Sequence, residues 1–256
     1  MQIQQWPAEA IWEALAAELP GFTVEILPEI DSTNSELMRR ARAGRTEPTL
    51  LVAEHQTAGR GRLGRDWRTA RGDALTFSLG LPLAPRDWSG LSLVAGVAIA
   101  EALHPDLGLK WPNDLWWHDR KVGGILVETS GAGAAGAPRY VVIGAGINIA
   151  TPAATEGLRT PPAGLRELSP GLCATDALGA VVPALARALR DFAADGFAPW
   201  QARFAARDVL RGRPVLLSDG RQGTAASVDA EGVLQLRTDA GWESVRSADV
   251  SIRPAA

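Results

Sequence analysis

The hydrophobic positions change period several times along the chain, and each change predicts an element. Trp6 to Leu19 carries an amphipathic stripe that predicts a short helix, closed by Pro20 and Gly21. The alternation in FTVEILPEI (22–30) predicts a strand. DSTNSELMRRAR then offers capping residues at Asp31, Ser32 and Thr33, with Glu36 near the first turn, and predicts a second helix. TLLVAEHQ (49–56) is a short apolar run consistent with a buried strand, and DALTFSLGLPL alternates as another. Between them, residues 57–72 lose all periodicity and fill with glycine and arginine, which predicts a loop. LSLVAGVAIAEAL (91–103) is apolar nearly all round, the mark of a central buried helix.

Short strands are expected near 107–117, followed by KVGGILVETS (121–130) and RYVVIGAGINI (139–149), with GAGAAGAP as a flexible hairpin connection. The last of these strands is expected to be an exposed edge, able to pair across a two-fold axis in a homodimer. Residues 150–172 are rich in proline and glycine and predict a long loop, mobile when the protein is empty. ATDALGAVVPALARALRDFAADG supplies a helix that Pro183 is expected to kink or divide, and APWQARFAARDVL a further one. From Arg211 onward, short strands are separated by D-G, E-G and A-G turns, a pattern of SH3-like size. The predicted architecture is α+β: a mixed-sheet domain over residues 1–208, then a small SH3-like β-barrel over 209–256.

Composition narrows the function. The 256 residues are 46% hydrophobic, enough for a sizeable core, yet no apolar run reaches transmembrane length, so no membrane partner is expected. The N-terminal MQIQQWPAEAIWEAL lacks a basic flank before an apolar stretch and is not a secretory signal. The one cysteine, Cys173, makes no internal disulfide, and a reducing cytoplasm is the expected location. Cysteine-cluster metal sites are excluded, and His55, His104 and His118 are too scattered to suggest zinc. A net charge of −3 supplies no global field for nucleic acid, so any anion site is local. Nine tryptophans against one tyrosine read mainly as core packing.

The local candidate is GRGRLGRDW (59–67). Gly59, Gly61 and Gly64 spell G-x-G-x-x-G, but a dinucleotide turn needs a helix directly after it, and RLGRDWRTARGDAL has no helical stripe. The alternative is a loop whose backbone N–H groups and guanidinium forks converge on phosphate and carboxylate oxygens. KWPNDL (110–115) adds a lysine, a proline-stiffened turn, an amide and a carboxylate. KVGGILVE (121–128) sets a lysine beside two glycines, where a ligand can press against backbone. GAGINI (144–149) ends a strand on Gly146 and Asn148, and DSTN (31–34) puts short polar side chains at a helix start. Each has a purely structural alternative: a helix cap, a β-turn, a hairpin and a strand end.

Together these motifs resemble the biotin–protein ligases. The resemblance lies in D-S-T-N, Q-x-A-G-R-G-R-x-G-R-x-W, K-W-P-N-D, K-x-G-G-I-L-V-E and G-x-G-I-N, in family order from Asp31 to Asn148. It implies a mixed-sheet domain of the class II biotin/lipoate ligase type and a two-step reaction. The carboxylate of biotin attacks the α-phosphate of ATP, and a lysine of a biotin carboxyl carrier protein then attacks the anhydride. That carrier is the acetyl-CoA carboxylase subunit or its counterpart in another carboxylase. Bifunctional members carry a winged helix-turn-helix domain before the core. Only thirty residues precede Asp31 here, so the short monofunctional type is expected, with no DNA partner.

The resemblance also implies roles. Arg60 and Arg62 clamp carboxylate and phosphate oxygens, Lys121 lies near the biotin carboxylate or α-phosphate, and Lys110 stabilises the α-phosphate charge. Asp114 is the candidate contact for Mg²⁺, which accompanies ATP. Ser32, Thr33, Asn34 and Gln56 read the polar ureido end of biotin. Gly61 belongs to the biotin loop, and Gly123 and Gly124 leave space for the rings. Asn113 and Asn148 face the nucleotide, and Trp67 either covers the ligand or plugs the loop from below. Three rivals remain: a lipoate or octanoate ligase, whose acid lacks a ureido group; a nucleic-acid-binding module built on the arginine loop; and a protein that keeps the fold without the activity.

Overall fold

The computed structural model describes residues 5–68, 70–131, 137–153, 155–158, 160–246 and 252–255. Five α-helices belong to its first part: α1 (Ala8–Leu15), α2 (Thr33–Arg42), α3 (Leu91–Leu103), α4 (Ala174–Asp195) and α5 (Gln201–Ala205). Seven strands accompany them: β1 (Thr23–Leu27), β2 (Thr49–Ala53), β3 (Ala74–Leu83), β4 (Gly108–Lys110), β5 (Asp114–Trp117), β6 (Arg120–Ser130) and β7 (Arg139–Asn148). They form one sheet in the order β1-β2-β3-β7-β6-β5-β4. β1 and β2 are parallel and the remaining pairs antiparallel, so the sheet is mixed and the fold α+β.

Period-two alternation gives the sheet two unlike faces. Leu75, Phe77, Leu79, Leu81 and Leu83 of β3, with Val141, Ile143, Ala145 and Ile147 of β7, point into the main core against α3 and α4. α3 is buried from Leu91 to Ala100 with one break, as its all-round apolar sequence requires. Each such Leu or Val contributes about 1.5–3 kcal/mol on burial. The opposite face carries a smaller cluster, Leu37 and Met38 of α2 against Leu51, Tyr140 and Val142. On that same face β3 presents Thr76 and Ser78, and β7 presents Gly144 and Gly146.

Two expectations are corrected. The strand expected at 139–149 as an edge is central: β7 pairs with β3 along one side and β6 along the other, so it offers no free ladder to a second copy. Pro183 does not divide its helix, since α4 runs unbroken over 22 residues. Leu178, Val181, Val182, Leu185 and Leu189 are buried on both sides of the proline, and that packing offsets the hydrogen bond the proline cannot donate.

A second antiparallel sheet follows: β8 (Pro214–Leu217), β9 (Gln222–Val228), β10 (Leu234–Thr238), β11 (Gly241–Val245) and β12 (Ile252–Pro254), in the order β11-β10-β9-β8-β12. It is tied to the first part at defined points. Trp111 Nε1 donates to Gly232 O at 3.1 Å, and Gln201 Nε2 donates to Val228 O at 2.7 Å. Part of the hairpin connection between β6 and β7, residues 132–136, lies outside the described residues.

Candidate active site

Register builds the site floor. Thr76 faces Gly146 across the β3–β7 ladder and Gly146 faces Gly124 across β7–β6; in the next row the order is Ser78, Gly144, Leu126. Glycine at 124, 144 and 146 removes side chains from the middle of this face and leaves a backbone-floored trough. The trough is not equally open everywhere. A Cβ on Gly144 would overlap Asn34 Oδ1, and one on Gly146 would lie 2.3 Å from Trp67 Cε2. At Gly123 a Cβ would meet Gly146 O at 2.7 Å. Gly123 therefore serves close strand packing, and Gly124 and Gly146 make the trough.

One wall is the start of α2. Ser32 is its N-cap, its Oγ accepting from Ser35 N at 3.4 Å. Gln56 Oε1 accepts from Thr33 N at 2.8 Å and from Thr33 Oγ1 at 3.2 Å. Ser78 Oγ lies 2.7 Å from Thr33 Oγ1 and 2.6 Å from Asn34 Oδ1. Ser32, Thr33, Asn34, Gln56 and Ser78 are all buried, so this polar chain sits in a low-dielectric wall. Sequence reasoning missed Ser78. Its signal was present: Thr76 and Ser78 are two polar residues, two apart, in an otherwise apolar strand.

The glycine–arginine loop is the lid. It folds back as a narrow hairpin: Gly61 N donates to Arg65 O at 2.7 Å and Trp67 N donates to Gly59 O at 2.9 Å. A Cβ on Gly59 would lie 2.3 Å from Trp67 O, so glycine is required there by close backbone approach. The tip is a single 3₁₀ turn at Arg62–Gly64, with Leu63 at φ 56° and more than half exposed. β3 rather than a helix follows, which removes the dinucleotide-turn reading. Arg60 reaches Glu128 on β6, NH2 to Oε2 at 2.6 Å. Arg62 NH1 donates to Asn113 Oδ1 at 3.3 Å, while Asn113 Nδ2 donates to Ile125 O at 2.7 Å.

The far end of the trough holds the charges. Asp114 accepts from Lys110 Nζ at 2.9 Å through Oδ2 and from Lys121 Nζ at 2.7 Å through Oδ1. The side chains of Lys110 and Asp114 are 8% and 13% exposed, so the pair is largely desolvated. Burial alone would raise the Asp114 pKa, but Lys121 and Lys110 outweigh it and hold the carboxyl far below the usual range. Burial lowers the Lys110 pKa, and Asp114 opposes that shift. Burial likewise lowers that of Arg62. The expected Mg²⁺ contact, Asp114, thus has both oxygens engaged by ammonium groups. Among the described residues no cluster of three or more His, Cys, Asp or Glu could hold a metal. An all-protein cage for a cation is therefore not formed among the described residues, and Asp114 can give an ATP-borne Mg²⁺ one contact at most.

Trp67 lies over Gly146, with Lys121 Nζ 5.8 Å from its ring centroid. Its Nε1 is buried with no hydrogen-bond partner among the described residues. Asn148, expected at the nucleotide, instead donates to Ala163 O at 3.1 Å and Lys121 O at 3.4 Å. With Lys121 N donating to Pro161 O and Ala163 N to Lys121 O, it pins the middle of the 150–172 segment against the start of β6. Arg246 pairs within its own sheet region, 3.8 Å from Glu231.

A site with two ammonium groups and a guanidinium around one carboxylate, on a glycine floor beside a buried polar wall, suits an enzyme that joins anions. The chain belongs to the biotin/lipoate A/B protein ligase family, whose pattern residues 27–148 match. It is 35% identical over 251 residues to the bifunctional ligase/repressor BirA of Escherichia coli, covering 94% of this chain and 77% of that one. It is 34% identical to the biotin–[acetyl-CoA-carboxylase] ligase of Paracoccus denitrificans, covering 88% and 98% of the two chains. The fold matches the biotin protein ligase of Aquifex aeolicus in complex with biotin and ATP, with a TM-score of 0.76 and 27% identity over 91% of this chain and 99% of that one.

Proposed function

We propose that the chain is a biotin–protein ligase that activates biotin with ATP and transfers it to a lysine of a biotin carboxyl carrier protein. The observation that carries this reading is the Lys110–Asp114–Lys121 cluster at the end of the glycine trough. The first step joins two anions. A biotin carboxylate oxygen attacks the α-phosphorus, the bond to the β-phosphate oxygen breaks, and pyrophosphate leaves. Lys121, at the trough, meets the carboxylate or α-phosphate, and the more deeply buried Lys110 offsets charge that grows on the phosphoryl oxygens. Asp114 holds both ammonium groups in place and keeps the desolvated Lys110 charged. In the second step the carrier amine attacks the acyl carbon, an amide forms, AMP leaves and the amine loses a proton.

Ser32, Thr33, Asn34 and Gln56 form the polar wall for the ureido group, and Arg60, Gly61, Arg62 and Trp67 the cover that excludes water from the anhydride. Asn113 supports Arg62 at the nucleotide end. Mg²⁺ would be bound by the phosphates of ATP and would neutralise them there. We read the C-terminal sheet as an SH3-like domain beginning near residue 209, and the protein as cytoplasmic; among the described residues no helix is long and apolar enough to cross a membrane. The test is exchange of labelled pyrophosphate into ATP with biotin, lipoate or no acid. Exchange that needs biotin is expected. Exchange with lipoate alone would transfer the chain to the other branch of its family, and exchange with neither would end the ligase reading.

A further inference from the structure

Glu128 closes the K-x-G-G-I-L-V-E motif and has no part in the scheme above. It lies on the trough face of β6 with its side chain 25% exposed. Its Oε2 accepts from Arg60 NH2 at 2.6 Å and from Asn34 Nδ2 at 3.0 Å, and its Oε1 accepts from the same Arg60 nitrogen at 2.8 Å. One carboxylate thus ties the first arginine of the lid to the first turn of α2.

An ionised carboxylate only accepts hydrogen bonds, so it also fixes which way the Asn34 amide points. Nδ2 faces Glu128 and Leu126 O, the latter at 3.3 Å, and Oδ1 is left facing Ser78. At the other end of the wall Gln56 Oε1 is an acceptor too, taking Thr33 N. Between these two acceptors stand two hydroxyls, Thr33 and Ser78. Three oxygen–oxygen contacts, Gln56 to Thr33, Thr33 to Ser78 and Ser78 to Asn34, share only two hydroxyl protons. Gln56 Oε1 is already supplied by Thr33 N, so with Asn34 Oδ1 facing Ser78 both hydroxyls can point the same way, Thr33 to Ser78 and Ser78 to Asn34, which leaves Thr33 Oγ1 and Gln56 Oε1 with spare acceptor capacity for a ligand N–H. Ser78 is 0% exposed and Asn34 4%, so bulk water does not compensate for a turned Asn34 amide.

We propose that Glu128 is a positioning residue that, by orienting Asn34, leaves Thr33 Oγ1 and Gln56 Oε1 as acceptors for an N–H-bearing acid, and at the same time anchors the lid through Arg60. The identity of the acid rests on the ligase reading, but both contacts of Glu128 are present without ligand. The ureido group of biotin brings N–H donors; lipoate brings none.

The test is Glu128→Gln. Glutamine offers one acceptor and one NH₂ in place of two acceptors, which lets the Asn34 amide turn its NH₂ toward Ser78 and reverse the two hydroxyls. The expected result is a biotin KM raised about tenfold, the loss of a charge-assisted hydrogen bond. The KM for ATP and the kcat at saturating biotin stay within about twofold, and the Tm is unchanged. In the same variant without ligand, trypsin is expected to cut faster at Arg60, Arg62, Arg65 or Arg68. An unchanged biotin KM would overturn the proposal, as would equal rises in both KM values with a lowered Tm, the signature of a merely structural residue. If the wild type shows no biotin-dependent exchange, the ligase reading fails and the digestion decides alone: faster cutting supports the anchoring of the lid by Glu128, and unchanged cutting overturns it.

Discussion

The indole of Trp67 rests directly on the backbone of Gly146: a Cβ built there would lie 2.3 Å from Cε2 and 2.5 Å from Nε1. No methyl group fits between them. The buried Nε1 has no acceptor among the described residues, and a donor in that state costs about 1–3 kcal/mol. The cover and the floor are therefore in contact at a position where a ligand acceptor would improve the fit. Gly146→Ala is expected to force the indole outward, raise the biotin KM at least tenfold and leave the fold intact, since position 146 lies outside the main core. Steady-state exchange and a thermal melt check this. Wild-type kinetics in the variant would show that the cover does not need Trp67 in this place.

Asp114 answers to two cations, and its loss should be felt through both. Asp114→Asn leaves two ammonium groups facing each other in a desolvated pocket, the kind of unpaired charge that costs about 3–5 kcal/mol. Exchange is expected to fall about a hundredfold or more. The pH profile carries the sign. Lys110 acts as an ammonium, and burial puts its pKa below the ordinary lysine value while Asp114 holds it up. Activity should decline as pH rises through that lowered value, and without Asp114 the decline should begin at lower pH. Exchange rates measured from neutral to alkaline pH for both proteins decide it; coincident alkaline limbs would remove Lys110 from the reaction as a charged group.

Arg62 is half-buried at the loop tip and donates to Asn113, which is itself fixed to Ile125. Arg62→Ala should bind biotinyl-AMP more weakly and release it faster, by about tenfold or more for a charge-assisted contact. A chase of preformed labelled intermediate with unlabelled biotin measures the release. Retention equal to the wild type would take the loop out of the mechanism.

Much of this was legible because local pattern and tertiary role agreed. α3 could be bounded from its apolar run alone, and the alternation in β3 gave both its ends. The charged residues of the site were legible too, since lysine, arginine and aspartate in short motifs carry few other readings. What sequence could not show was who pairs with whom. Asp114 read as a metal contact because a lone carboxylate in a phosphate site suggests one; two lysines, one four residues before it and one seven after, occupy both oxygens. Asn148 read as a ligand contact, and its partner is the carbonyl of Ala163 in a segment without periodicity. The strand at 139–149 read as an edge, and its place between β3 and β6 depends on a partner, β3, far away in sequence that its own residues do not name.

Asp208 lies outside the site, between α5 and β8, where it forms an isolated bridge with Leu109 of β4 and its Oδ1 accepts from Leu210 N at 2.9 Å. Burial pushes its carboxyl up to about 6 against an ordinary 3.8. The folded state therefore holds the proton more tightly than the unfolded chain does. The stability this contributes is fully present below about pH 4 and is lost as pH rises through about 6. An asparagine keeps the oxygen that accepts from Leu210 and carries no charge to desolvate. Asp208→Asn should accordingly match the wild type near pH 4 and exceed it at pH 7.5 by about 1 kcal/mol, discounted for partial exposure, or about 2–4 °C in Tm. Melting both proteins across that range tests it. A difference of the same size at both pH values would mean that the substitution acts through packing where the two sheets join, and that the charge on Asp208 is already well solvated.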